Sequence, residues 1–268
     1  MSIITISSDS YEVGREIAEK TAKILNYKCL GREILSKAAE KHGIPEANLS
    51  KALDEVPSLL RISAKLRERY LAYIKAYVLN LLLEDNMVCY GLAAHLYLTD
   101  VSHVLKVGII SNPKKLASRI ALEKNISEKK AENFIKKRKK RRRRLSLQIF
   151  HVDETDASRY DLVINLGQID RERAINIITE TVSDRKFKLI TYSLNCMEDI
   201  ELENRVKAVL LEHFSDIKVH AKRGTVVVET KAFKFKKEKK CNSIKEMAGK
   251  VPGIVNIEVH TSSYISRN

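Results

Sequence analysis

The stretch IITISSDSYEVGREIAEKTAKIL, residues 3–25, decides the fold. Its opening run Ile3, Ile4, Thr5, Ile6 is β-branched throughout, and Val13, Ile17, Ile24 and Leu25 then recur near helical spacing, so a strand passes into a helix across a short polar loop. Such a loop holds phosphate when glycines let the backbone turn sharply and aim successive N–H groups at an anion, and when a Lys reaches the terminal phosphates. Here it reads Ser8, Asp9, Ser10, Tyr11, Glu12, Val13, Gly14, Arg15. Gly14 is its single glycine and Arg15 its single cation; Asp9 and Glu12 place negative charge where an anion would sit, and Val13 resists the positive φ that glycine allows. Three alternatives stay open: a connection that keeps the fold and binds nothing, an altered nucleotide site built on Arg15 and the N–H groups of Gly14 and Arg15, and full phosphotransfer.

Working outward, a second helix is expected over 32–41, ending at Gly43 with Pro45 beyond it, then a long amphipathic stretch over 57–83. MVCYG (87–91) and VLKVGII (104–110) are continuous apolar runs of the kind buried on both faces of a parallel sheet. Two helices follow from Pro113, the second with Ser127 as N-cap, and YDLVIN (160–165) is a further buried strand before the helix opened by Asp170. This alternation predicts an α/β fold with a doubly wound parallel sheet, and ligands in such folds gather at the carboxyl ends of the strands, after Ile6, Tyr90 and Ile110.

The opening ITIS, GREIAEK (14–20), YKCLGREILSKAAEKHGI (27–44) and DASRYDLVIN (156–165) resemble the cytidylate kinase-like family of P-loop nucleoside monophosphate kinases. The resemblance implies ATP with Mg²⁺ as cofactor and a nucleoside monophosphate such as CMP as acceptor. Family members carry a Gly-Ser-Gly-Gly type of turn before the Arg-Glu-Ile-Ala stretch, where this chain has Tyr11, Glu12 and Val13 ahead of Gly14. They also tend to carry Gly-Arg after the next buried strand, where this chain has Gly91 and Leu92. If the chain is active, Arg15 and Arg142 are the candidate catalytic cations; ATP and Mg²⁺ enter only on that reading.

The formal net charge is +15, and nine consecutive cations lie in one run: Lys136, Lys137, Arg138, Lys139, Lys140, Arg141, Arg142, Arg143 and Arg144. By the resemblance this is the lid, where family members place an Asp in a Lys-x-Asp-Lys-x-x-Arg-like stretch. The run reads either as a solvated helix or as a site for a polyanion, nucleic acid or acidic membrane headgroups. It has no interleaved aromatic and the chain has no Trp, so any nucleic-acid binding there is expected to be electrostatic rather than by stacking.

Cys29, Cys89, Cys196 and Cys241 stand far apart, which suggests neither a zinc site nor a disulfide framework. No metal site is expected: Asp153, Glu154, Asp156 and Asp161 match no ligand spacing and suit capping or pairing with the basic run, while His95, His103 and His151 read as ordinary polar or core residues. The start lacks the pattern of a secretory signal, and the longest apolar run, 70–83, contains Lys75 and is too short to span a bilayer, so a cytoplasmic protein that is not integral to a membrane is expected.

After Asp184 the pattern changes. A helix over 197–214 with Ile200, Val206, Val209 and Leu210 inward, a hairpin of IKVHA and GTVVVETKA about Arg223-Gly224, a second helix and the strand IVNIEVHT give an α-β-β-α-β order. It resembles a BON domain, a class of ligand- or lipid-surface-binding module without catalytic residues. The expected organisation is a P-loop kinase-like domain over 1–191 and a small α+β BON-like domain over 192–268 that folds alone. The expected role is a non-catalytic or weakly catalytic ligand-sensing or interaction protein. The alternatives are an active CMP-type kinase and a polyanion binder, with the small ligand and the oligomeric state open.

Overall fold

The structure is a computed structural model that describes residues 2–55, 62–98 and 100–263. The chain divides into two compact units. The first comprises Met1–Ile34, Leu53–Val56 and Glu84–Ser193, the second Leu35–Ala52, Pro57–Leu83 and Leu194–Asn268.

In the first unit, β1 (Ile3–Ser8), β2 (Lys28–Leu30), β3 (Met87–Tyr90), β4 (Val104–Ser111) and β5 (Leu162–Leu166) form one parallel sheet in the order β2-β3-β1-β4-β5. The α/β expectation is met. Strand β2, only three residues long, was not read from the sequence: one turn of apolar alternation is too short to show a period. Helices α1 (Tyr11–Leu25) and α7 (Arg171–Val182) pack one face, with Val13, Ile17, Ala18 and Ala22 of α1 and Ala174, Ile175 and Ile178 of α7 against Ile4, Ile6, Val107, Ile109 and Ile164. Fully burying a side chain such as Ile17 contributes about 1.5–3 kcal/mol. Because β1 is flanked by β3 on one side and β4 on the other, its carboxyl end lies where the strand order reverses, the place such sheets leave a crevice. Between β4 and β5 come α5 (Pro113–Lys124) and the long α6 (Glu128–Phe150). Asn112 caps α5 through Lys114 and Lys115 N–H, and Ser127 caps α6 through Lys130 N–H, as the sequence predicts for Ser127.

In the second unit, α2 (Ile34–Lys41) and α3 (Glu46–Asp54) contribute most of their residues, α4 (Ala64–Leu82) lies wholly within it, and α8 (Thr191–Leu210) all but its first turn. The sequence reading of the long helix from Pro57 touches 57–61, outside the described residues. Helix α8 begins six residues before the expected start and ends at Leu210 rather than 214; the added residues 191–196 are mostly polar, with Tyr192 exposed and Ser193 buried, and so show no apolar stripe. Strands β6 (Ile217–Lys222), β7 (Thr225–Ala232) and β8 (Asn256–Ser263) make a mixed sheet, β6 antiparallel to β7 and β8 parallel to it, with α9 (Lys237–Gly249) as the crossover. The hairpin turns on Arg223 (φ 49°) and Gly224 (φ 77°), the left-handed pair that a two-residue connection requires. Glu68 of α4 pairs with Lys207 of α8 at 2.9 Å, and Tyr73 donates to Glu212 at 3.1 Å. Among the described residues no helix is long and apolar enough to cross a membrane.

Candidate functional site

The loop between β1 and α1 is closed on itself. Asp9 N–H donates to Ile109 O at 3.3 Å, and the Asp9 carboxylate accepts from Ser111 N–H at 3.0 Å and Ser111 Oγ at 2.6 Å, tying the ends of β1 and β4 together. Ser10 N–H donates to Ser8 Oγ at 3.2 Å, and Gly14 N–H lies inside α1, bonded to Ser10 O at 3.0 Å. No residue from Ser8 to Arg15 has a positive φ, so Tyr11, Glu12 and Val13 begin the helix without strain. Gly14 is needed for proximity rather than for turning: a Cβ there would lie 2.9 Å from Ser8 Cβ. Val13 is buried in the core beneath the sheet.

The Glu12 carboxylate lies at the N-terminus of α1, where it accepts from Ser10 Oγ at 3.0 Å and from Arg119 Nη2 at 3.1 Å. Burial pushes this carboxyl up, but its own backbone N–H, the Ser10 hydroxyl and the Arg119 and Arg138 guanidiniums outweigh that and hold its pKa below the ordinary value. A helix start favours negative charge, and here the chain supplies it.

Two guanidiniums of α6 reach the same loop. Arg138 donates to Asp9 O and Arg142 to Ser8 O, so it is carbonyl oxygens that the loop turns toward the basic helix. Arg142 also donates to Ser7 Oγ at 3.1 Å and makes a two-point pair with Glu154 at 3.0 and 3.1 Å. Burial lowers the Arg142 pKa, the Glu154 carboxylate more than reverses that, and the guanidinium stays charged. Beneath these arginines a cavity of about 150 Å³ has an apolar floor of Gly108, Ile110, Val163 and the Tyr160 ring. Tyr160 lies over Gly108, where a Cβ would come within 3.2 Å of the ring, and its hydroxyl donates to Glu154 O at 2.8 Å.

On the β3 side the Tyr11 ring packs on Tyr90, centroids 5.5 Å apart, and over Gly91. Leu92 is 1% exposed and belongs to the core. Arg32 sits 5.5 Å from the Tyr11 ring centre, donates to Gly91 O at 3.2 Å and grips Asp54 at 2.5 and 2.6 Å. Arg15 is paired with Glu19 at 2.7 Å and lines an open cavity of about 440 Å³ with Tyr11, Cys29, Glu33 and Tyr90. A third cavity, about 300 Å³, opens between the β4–α5 and β5–α7 connections, with Val13, Lys115 and Arg119 in its wall.

The structure thus separates the two candidate catalytic cations: Arg142 is at the loop carbonyls, and Arg15 faces outward from α1 in its pair with Glu19. Of the basic run, Arg138 and Arg142 turn in and Arg143 pairs with Asp153 at 2.6 Å, whereas Lys136, Lys137, Lys139, Lys140, Arg141 and Arg144 are exposed with no ion pair among the described residues. The acidic cluster does cap and pair: Asp156 accepts from Ser158 N–H, Asp161 from Lys106 N–H, and Asp153 is held down to about 2 by Thr155 and Arg143. His95 is buried against Tyr160 and pushed down to about 3, burial being the main cause; His103 is buried and bonded to Ser193 at 2.5 Å. The four cysteines are free thiols, and among the described residues no group of three or more metal-ligating side chains is present.

Residues 3–168 match the model of the cytidylate kinase-like family, more than half of the chain. The chain belongs to the cytidylate kinase-like family. No curated protein matches it. Among solved structures, an uncharacterized protein from Eubacterium ventriosum is similar at 21% identity and a TM-score of 0.51, covering 69% of this chain and 100% of that one. A shikimate kinase from Bacteroides thetaiotaomicron is similar at 13% identity and a TM-score of 0.43, covering 68% and 99%. The first of these shares the fold. In this cytidylate kinase-like chain, Arg32, Arg119 and Tyr160 join the site although the sequence reading gave them no role in it, and Glu154, expected to cap or to pair with the basic run, pairs with Arg142. Each is distant in sequence from the loop it serves, and only the β4 and β5 apolar runs hinted that their flanks converge there.

Proposed function

We propose that this cytidylate kinase-like protein is non-catalytic or only weakly catalytic, its first unit retained as a ligand-sensing or interaction scaffold. The observation that carries the reading is the Glu12 carboxylate, held at the start of α1 by Ser10 and Arg119 where a phosphate would need the same donors. The phosphates of ATP and their Mg²⁺ do not fit these residues. The loop has no Lys, its flanking arginines are engaged by Ser8 O, Asp9 O and Glu154, and phosphoryl transfer depends on such groups being free to neutralise charge. The α8-to-β8 stretch acts on this reading as a BON-like binding module coupled to the scaffold.

The test is a thermal-shift panel of ATP, GTP, CMP and dCMP with Mg²⁺, run beside a CMP-to-CDP turnover assay, on the wild type and on Glu12→Ser. A ligand at a hundred times its Kd stabilises the native state by about 2.7 kcal/mol, which such a panel sees. The expected result is no wild-type shift and no turnover, with an ATP shift gained by Glu12→Ser. Turnover of CMP by the wild type would overturn the reading and restore the kinase alternative.

A second reading is favoured by the exposed cations of α6: a polyanion partner. Neutralising about five duplex phosphates gives a log-log salt slope of about −4.5. Changing Lys136, Lys137, Lys139, Lys140, Arg141 and Arg144 to Gln should flatten it while leaving the Arg138 and Arg142 contacts intact. An unchanged slope would place the binding elsewhere.

A further inference from the structure

The connection from β7 to α9, in the second unit, exposes two phenylalanines side by side. Phe233 is 54% and Phe235 79% exposed, and their rings lie 5.8 Å apart with planes only 23° from parallel. Singly scattered apolar side chains on a surface are ordinary; two large rings stacked on each other in the open form a small, shaped apolar patch. Its surroundings are strongly basic. Lys231, Lys236, Lys237 and Lys239 are exposed, Lys234 adds a further cation in sequence, and Glu238 is the one acid from residue 231 to 240. Lys236 Nζ lies 5.5 Å from the centre of the Phe235 ring. Lys240 is turned back, donating to Lys231 O at 2.8 Å and lying 5.6 Å from the Phe214 ring, and so anchors the start of α9 beside the patch.

We propose that this segment binds single-stranded nucleic acid, bases stacking on Phe233 and Phe235 and the lysines neutralising the backbone. Rings at alternate positions among cations supply the two terms of sequence-tolerant single-strand binding, a π-face for each base and charge for each phosphate. The stretch 231–240 contains no Arg, Asn or Gln to make a planar two-point contact with a base edge, and stacking on a ring accepts any base, so binding is expected to tolerate changes of base sequence. A membrane surface fits less well. Insertion requires a continuous apolar face along an element, and here the exposed apolar surface stops at two rings, with Lys on the α9 side and exposed Glu229 and Lys231 on the β7 side. The residues of this site are not those of the α6 run, which has no aromatic, and the proposal stands whether or not the first unit turns over nucleotide.

The experiment is fluorescence anisotropy of the full-length protein with a labelled twenty-residue oligothymidylate and with a duplex of the same length, over a salt series. Three variants are compared: Phe233→Ala with Phe235→Ala, the four exposed lysines 231, 236, 237 and 239 to Gln, and the six-fold Gln variant of α6. The expected result is single-strand binding weakened tenfold or more by the phenylalanine variant with an unchanged salt slope, and a slope flattened by about 2 to 3 in the lysine variant. Duplex binding should be indifferent to the phenylalanines. Wild-type affinity in the phenylalanine variant overturns the proposal, as does loss of all single-strand binding in the α6 variant alone. Phenylalanine-dependent binding to phosphatidylglycerol vesicles without binding to the oligonucleotide overturns it in favour of a lipid surface. All the substituted side chains are exposed, so circular dichroism of each variant should match the wild type.

Discussion

Gly91 shows how one position can be fixed by two neighbours at once. Its φ of +69° is the left-handed region, and a Cβ there would lie 2.6 Å from Cε2 of Tyr11, a ring already held against Tyr90 and Arg32. Gly91→Ala should therefore destabilise the protein by about 2–4 kcal/mol, of which about 1–2 is backbone strain and the rest displacement of the ring. Urea unfolding of Gly91→Ala, Tyr11→Ala and the double variant separates the parts. The double variant should be more stable than the sum of the two single losses, and strict additivity would show that the ring yields freely. His95 supplies the pH dependence at this scale. Burial first, then Arg142 and Lys106, hold it neutral down to about 3 in the native protein, while the unfolded chain protonates it near its ordinary value of 6.5. Between those values the unfolded state binds the extra proton, so stability is fully present above about pH 6.5 and declines as pH falls toward 3, by at most about 1.4 kcal/mol per unit. His95→Gln should remove that component of the stability–pH curve, leaving what His42 and His103, both pushed down by burial, contribute; an unaltered curve would mean that His95 takes up its proton alike in the folded and unfolded chain.

Helix α6 shows what a charge run conceals. Written out, its nine cations look equivalent; folded, the four-residue spacing of Arg138 and Arg142 puts both on the face toward the β1–α1 loop, and Arg143 falls opposite Asp153. Four of the five strands were legible as apolar runs and β2 was too short to be, but β5, expected to be buried, lies at the sheet edge with Val163 38% exposed; the capping of α6 by Ser127 and α7 by Asp170 was legible because caps are local. The inward pair was not, since Glu154 could serve any of several neighbouring cations and the carbonyl acceptors that decide between them, Ser8 and Asp9, lie more than a hundred residues away. The same holds for Phe233 and Phe235, whose exposure no local pattern announces. If α6 is clamped by Arg142, replacing it with Gln strands Glu154, which is 10% exposed, and should cost about 2 kcal/mol, below the range for a wholly buried pair because Arg142 itself is 31% exposed. Hydrogen exchange should then speed at Asp9 and Ser10, and Arg142→Lys should recover only part of the loss because an ammonium cannot make the two-point contact. Unchanged exchange in Arg142→Gln would show that the loop holds its shape without the helix.

At the scale of the whole molecule, the second unit draws on two distant parts of the chain. Residues 192–268 read as a complete module because their helix and strand order is self-contained, yet Glu68, Tyr73 and His42, from the α2–α4 region, meet Lys207 and Glu212 at the end of α8 within the same compact unit. Lys75 is buried enough to be pushed down to about 8, with Lys207 as well as burial driving it and Glu203 and Glu68 opposing. A stretch of fewer than about 80 residues has little core to lose before cooperativity fails. A fragment of 192–268 should accordingly unfold at a lower urea midpoint than the corresponding transition of the full chain, with a shallower slope from the surface that α4 leaves uncovered. Joining residues 35–83 to it through a flexible linker should restore much of the midpoint, since each helix then regains its partners inside one unit. A lone fragment with the same midpoint and slope as the full-chain transition would show that α4 adds nothing to the sheet's stability and that the C-terminal order folds by itself.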